Sequence, residues 1–198
     1  MRAVIYIRTM KNMDRQQRRK QGLQWLYEAV SASGHPEITP QTCPVQRTEK
    51  GKPYFGDRPE IQFSISHSRG LWACAVADRP VGLDLQYHKT GRLDNIPGRF
   101  FHPEEAAWLA KQGAEEDNSF RNAFFDVWTA KESYVKWTGE GIDRHFGEFS
   151  VVNDNGLAEC CGNAWFWRCI IEGEYSLCLC GGETWDEVKL VRIEDEKT

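Results

Sequence analysis

Phe125-Asp126-Val127-Trp128-Thr129-Ala130-Lys131-Glu132-Ser133-Tyr134-Val135-Lys136-Trp137 reads as the larger part of one long helix, expected from about Asn118 to Trp137 and ended by Gly139 and Gly141. Phe124, Phe125, Trp128 and Val135 supply apolar packing, while Lys131, Glu132 and Lys136 fall at i, i+1 and i+5. Glu132 and Lys136 stand four apart in the favourable order, so an ordinary surface ion pair accounts for them. The aromatic wall around them points instead to a partly buried cluster, where unpaired charge is expensive.

Working outward, Val81-Gly82-Leu83-Asp84-Leu85-Gln86 has a strand period that sets Val81, Leu83 and Leu85 on one face. Gly82, Asp84 and Gln86 share the other, with the glycine leaving room for a close ligand; a solvent-facing strand edge reads equally well. Ile61-Gln62-Phe63-Ser64-Ile65-Ser66 alternates strictly, and with Leu71 to Ala77 and Val81 to Gln86 it is expected to form one small antiparallel sheet.

Ahead of this sheet, Ala3 to Arg8 reads as a strand. From Asp14 a helix is expected, with Leu23, Leu26, Tyr27 and Val30 as its buried stripe, Arg15 and Arg19 extending that stripe, and Gly34 closing it. Residues 34 to 59 carry too many prolines and glycines for long regular elements. His102-Pro103-Glu104-Glu105 opens a short helix, because proline suits the first turn and carboxylates there favour the dipole. Strands are expected at about Glu148 to Val152, Leu157 to Cys160, Trp165 to Ile171 and Tyr175 to Cys180. The halves thus look alike, each giving a helix and then antiparallel strands, and residues from Glu183 form an acidic solvated edge element or frayed end.

The 198 residues suffice for a sizeable core, in one domain or two small subdomains sharing an interface. Acidic residues outnumber basic ones 29 to 25, which argues against nucleic acid as a partner, although the first twenty residues are basic. The 7 cysteines fit neither zinc-site pairs nor a disulfide framework and read as reduced thiols. Neither a signal peptide nor a membrane span is read, so a soluble, cytoplasmic protein is expected.

A strand-borne acid, Asp84, with a helix-borne acid, Glu132, and two lysines is what a magnesium-assisted reaction on a phosphate-bearing substrate requires, since the metal wants convergent oxygens and the phosphates want cations. The turn Ser64-Ile65-Ser66-His67-Ser68-Arg69-Gly70 offers backbone N–H groups and the His67 imidazole to phosphate oxygens, though polar turns with glycine are common.

Taken in order, Gly51-Lys52-Pro53, Phe63-Ser64-Ile65-Ser66-His67-Ser68, Val81-Gly82-Leu83-Asp84, Arg99-Phe100-Phe101 and Trp128-Thr129-Ala130-Lys131-Glu132-Ser133-Tyr134-Val135-Lys136 resemble the Sfp-type 4'-phosphopantetheinyl transferases, over roughly residues 51 to 141. The resemblance implies an α+β fold of two pseudo-symmetric subdomains, each a small antiparallel sheet with a long helix, with a ligand cleft between them. Their expected bounds are 1–86 and 87–182, followed by the tail 183–198. It further implies transfer of the phosphopantetheine arm of coenzyme A to a serine of an acyl or peptidyl carrier protein, leaving adenosine 3',5'-bisphosphate. The related short, trimeric synthases resemble this chain less, so a monomer supplying both halves is expected.

Carried over residue by residue, Asp84 and Glu132 match the magnesium-binding acids, and Glu132 is also the expected base, directly or through a metal-bound water. Lys136 and His67 would neutralise charge on the pyrophosphate, with Lys131 assisting at the mouth. Lys52 and Ser66 match positions that hold the nucleotide end. Many members carry a second acid where this chain has Gln86, a poorer magnesium ligand, so a higher magnesium requirement is expected. The N-terminal half looks short, and Arg18 or Arg19 is the expected cation for the 3'-phosphate; a solvated helix end reads as well. The competing expectations are a degenerate relative that binds coenzyme A or a carrier protein without turnover, and an unrelated magnesium-dependent phosphohydrolase.

Overall fold

A computed structural model of the chain describes residues 1–10, 13–113, 118–141 and 144–194. The strands are β1 (Arg2–Thr9), β2 (Val45–Arg47), β3 (Pro53–Phe55), β4 (Gln62–Ser68), β5 (Leu71–Ala77), β6 (Val81–Tyr87), β7 (Val152–Asn153), β8 (Gly156–Leu157), β9 (Cys160–Cys161), β10 (Ala164–Ile171), β11 (Tyr175–Gly181) and β12 (Glu187–Arg192). The helices are α1 (Arg15–Ala32), α2 (Pro97–Phe100), α3 (Pro103–Leu109) and α4 (Asn118–Thr138). The fold is α+β, built on sheets ordered β12-β1-β5-β4 and β6-β11-β10-β9, with two-stranded ribbons beside them.

Alternation along β5 explains the layering. Trp72, Cys74 and Val76 pack under α1 with Trp25, Leu26 and Phe63, whereas Leu71, Ala73 and Ala75 face the other sheet, where Leu83, Leu85, Leu177 and Leu179 meet them. The far face of that second sheet, through Cys178, Cys180 and Phe166, lies under α4 and its Phe124 and Val127. Both faces of β5 are therefore covered, and all its residues are buried. Period two on β6 then sends Leu83 and Leu85 between the sheets and turns Asp84 toward α4.

Several expectations need correction. β6 does not complete a sheet with β4 and β5; its backbone partner is β11, with Asp84 opposite Cys178 and Gln86 opposite Ser176. The strand reading up to Gln86 is right, but partner choice is long-range, and the expected boundary at residue 86 falls inside a strand of the second sheet. On α1 the buried stripe is Gly22, Trp25, Leu26, Tyr27, Ala29 and Val30, while Leu23 is exposed and Arg15 and Arg19 face solvent. The segment from Glu183 is the solvated edge element of the two alternatives expected, since it contains β12, which lies parallel against β1 as an edge strand; residues 195–198 lie outside the described residues. Its mostly exposed side chains leave no alternation to read. Only Val152–Asn153 and Gly156–Leu157 of the strands expected around 148–160 pair as a ribbon, ahead of β9. All seven cysteines are free, and among the described residues no helix is long and apolar enough to cross a membrane.

Candidate active site

The edges of the two sheets meet where β4 runs beside β6, joined by side chains rather than by a backbone ladder. Ser64 Oγ accepts from the Leu83 N–H (2.9 Å), Ser66 Oγ from Leu85 (3.1 Å) and Ser68 Oγ from Tyr87 (2.9 Å). Alternate serines fit because period two puts them on one face of β4, opposite Ala75, Ala73 and Leu71 of β5. The hydroxyls thereby satisfy alternate N–H groups of a sheet edge that would otherwise be buried and unpaired.

Asp84 sits at this seam, 1 % exposed. Its Oδ1 accepts from the Ser66 hydroxyl (2.8 Å) and from Lys136 Nζ (2.7 Å). Its Oδ2 is buried and has no hydrogen-bond partner among the described residues, a costly state for a carboxylate oxygen. Lys136 spends its remaining donors on the Leu83 carbonyl (3.0 Å) and Ser66 Oγ (3.1 Å). Glu132, one turn earlier on α4, is also buried, with no hydrogen bond among the described residues. Burial first, then the neighbouring Asp84 charge, pushes its carboxyl up to about 7 against the opposing pull of Lys136. Two acids facing a single ammonium leave the cluster short of positive charge.

Glycine lets α4 come this close. A methyl group on Gly82 would stand 2.0 Å from the Ser133 carbonyl oxygen and 2.4 Å from the Trp137 nitrogen. The space expected for a ligand beside Gly82 is taken by the backbone of α4, a correction that follows from helix-on-strand packing at a residue without a Cβ. Gly139, at φ +76°, ends the helix as the sequence predicts. Lys52 Nζ donates to the Trp137 carbonyl there (2.7 Å), and burial pushes its ammonium below the ordinary range.

A cavity of about 340 Å³ opens against this cluster, lined by Lys50, Lys52, Ser64, Glu132, Val135, Lys136 and their neighbours. The structure therefore gathers Lys52, Asp84, Glu132 and Lys136, with Gln86 half-buried two residues from Asp84, its Oε1 accepting from Ser68 Oγ (3.4 Å). Ser66 is directed away from its expected nucleotide role: its hydroxyl donates to Asp84 and accepts twice, which fills its capacity. His67, exposed on the opposite face of β4 from the serines, does not line the cavity. Neither do Arg18 and Arg19, both exposed on α1, where Arg18 Nε donates to the Met13 carbonyl (2.8 Å).

Lys131 is the largest departure. It is 0 % exposed and pairs with the equally buried Glu105 (2.9 Å), donates to the Phe149 carbonyl (2.7 Å) and lies over the Phe149 ring. Glu105 in turn accepts from the backbone of Val151 (2.8 Å) and His102 (2.9 Å). Lys131 faces away from Glu132 because adjacent residues on a helix diverge by about 100°. It ties α3 and the 149–151 segment to α4 and does not stand at a mouth. Sequence reasoning missed Ser64 and Lys50; the repeat of serine at 64, 66 and 68 is the signal that could have found the first.

The donor set fits a hard divalent cation: a bare carboxylate oxygen on Asp84, a second carboxylate on Glu132 and an amide oxygen on Gln86. Among the described residues no group of three or more His, Cys, Asp or Glu side chains forms a metal site by itself, so further oxygens would have to come from a ligand.

A family model described as the 4'-phosphopantetheinyl transferase superfamily matches residues 80–180, the stretch that carries Asp84, Glu132 and Lys136. The chain is 38 % identical over 110 residues to a 4'-phosphopantetheinyl transferase of Bacillus subtilis, covering 54 % of this chain and 47 % of that protein. It is 37 % identical over 114 residues to the 4'-phosphopantetheinyl transferase HetI of Nostoc (55 % and 47 % covered). It is 36 % identical over 104 residues to the 4'-phosphopantetheinyl transferase Sfp of Bacillus subtilis strain 168 (52 % and 44 %). The chain spans about half the length of the curated relatives it matches.

Proposed function

Because the chain belongs to the 4'-phosphopantetheinyl transferase superfamily, we propose that it transfers the 4'-phosphopantetheine arm of coenzyme A to a serine of an acyl or peptidyl carrier protein. The observation that carries this reading is the unpartnered Asp84 Oδ2 beside Glu132 at a lysine-lined cavity. In the reaction the carrier's serine oxygen forms a bond to the pantetheine-bearing phosphorus. The bond from that phosphorus to the bridging oxygen breaks, and adenosine 3',5'-bisphosphate leaves. Glu132 takes the serine proton. Lys136 holds Asp84 in place and supplies positive charge next to the breaking bond.

Asp84, Glu132 and Gln86 would hold a magnesium ion, which when bound supplies countercharge to the pyrophosphate. The cations at the cavity favour Lys50 and Lys52, rather than Arg18 or Arg19, for the nucleotide's phosphate. Matching strand orders, β1-β5-β4 with α1 following β1 in the chain and β6-β11-β10 with α4 following β6, support two related halves with the ligand at their seam. A monomer in a reducing cytoplasm belongs to the same reading, supported by seven free thiols.

The test is incubation with coenzyme A, magnesium and a panel of apo carrier proteins, read by intact mass. A gain of one phosphopantetheine that disappears with Glu132→Ala is expected. No gain on any carrier at raised magnesium would overturn transfer and favour a binding-only relative.

A further inference from the structure

The three seam serines are equivalent by register yet end in different chemistry. Ser66 accepts the N–H of residue 85 and donates to the side chain of residue 84; Ser68 accepts the N–H of residue 87 and donates to the side chain of residue 86. One step back, Ser64 accepts the N–H of residue 83 (2.9 Å), and its proton would go to the side chain of residue 82. Residue 82 is glycine, held to that choice by the contact with α4. The Ser64 hydroxyl therefore donates to nothing among the described residues, although the side chain is 6 % exposed and lines the cavity with Lys50, Lys52 and Lys136.

The geometry points to Ser64 as a ligand-binding residue that donates its hydroxyl proton to a phosphate oxygen in the cavity, while Ser66 and Ser68 act as positioning residues for Asp84 and Gln86. A neutral hydroxyl suits this place. Its oxygen is held by the Leu83 N–H, which leaves the O–H to rotate about a fixed oxygen at a residue lining the cavity, and the neighbouring lysines select for an anionic acceptor. The inference rests on reading the cavity as the coenzyme A site.

The experiment is calorimetric titration of the full chain with coenzyme A in reducing buffer containing a chelator, so that the metal plays no part. Ser64→Ala is expected to weaken binding by roughly 10-fold or more, the loss of one hydrogen bond to a charged group, whereas Ser64→Thr keeps the hydroxyl and stays within a few-fold of the parent. Ser68→Ala removes the same kind of seam bond and is expected to lower stability comparably with little change in affinity. Should Ser64→Ala fail to fold, Ser64→Cys keeps the volume and a weak acceptor for Leu83 while offering a poor donor, and it should weaken binding likewise. Unchanged affinity in Ser64→Ala, or in Ser64→Cys, overturns the assignment and leaves the coenzyme A reading standing. An unmodified chain that takes up no coenzyme A either in chelator or with magnesium restored overturns both.

Discussion

Gly82→Ala places a single methyl group where β6 meets α4. The new Cβ would lie 2.0 Å from the Ser133 carbonyl oxygen, 2.4 Å from the Trp137 nitrogen and 2.9 Å from its Cα, all backbone atoms that cannot rotate away. Relief to ordinary contact at 3.4 Å moves strand and helix apart by about 1.4 Å, from the 2.0 Å starting distance. That shift would stretch the Lys136–Asp84 bond from 2.7 Å toward about 4 Å, beyond hydrogen-bonding range. Overpacking costs about 1–3 kcal/mol, and a lost hydrogen bond to a charged group about 1.5–3. The expected total is therefore about 2.5–6 kcal/mol, or on the order of 10 °C in Tm for a domain of this size. Urea denaturation followed by far-UV circular dichroism measures it, alongside coenzyme A affinity at a temperature where the variant is folded. Both should fall together. A Gly82→Ala protein with the parent midpoint and affinity would refute the close approach of α4 to β6 as the device that sets the acids together.

Lys131→Met should destabilise by about 3–5 kcal/mol, because Glu105 would be left charged in the core; the double variant with Glu105→Gln should recover much of that in urea titrations, and loss of coenzyme A affinity without loss of stability would return Lys131 to the mouth. Gln86→Glu adds an acid beside Asp84 and should lower the magnesium concentration that half-saturates transfer, whereas an unchanged requirement would show that residue 86 does not reach the metal. Burial, the largest influence, holds the Asp126 carboxyl above its ordinary range, with the Ser176 hydroxyl (2.6 Å) and then Arg168 opposing. A raised folded pKa favours the fold below the ordinary carboxylate value of about 4, and that advantage is lost as pH rises through the raised value. Asp126→Asn should thus gain on the parent between pH 4 and pH 7 in parallel denaturation curves; a variant that loses ground over this window would contradict it.

How far the sequence reaches differs from residue to residue. Helix α4 is legible end to end, Asn118–Thr138, because a sustained apolar pattern and a glycine stop are local facts. Asp84, Glu132 and Lys136 are legible as a set through motif order, and they do converge. Lys131 is not, because a lysine beside a candidate site looks the same in sequence whether it faces the cavity or a buried glutamate 26 positions away. The strand at 81–87 is readable, but whether it ladders with β5 or with β11, nearly a hundred residues on, is not.

By itself the sequence determined the alternation that puts Asp84 and Gln86 on one face, the length and end of α4, and the family signature. Only the tertiary structure decided which sheet β6 joins, that Gly82 serves α4 rather than a ligand, and that Ser66 is spent on Asp84 while Ser64 is free to donate. Periodicity and capping act within a few residues along the chain, whereas burial of a charge and saturation of a hydroxyl depend on what distant segments bring beside it.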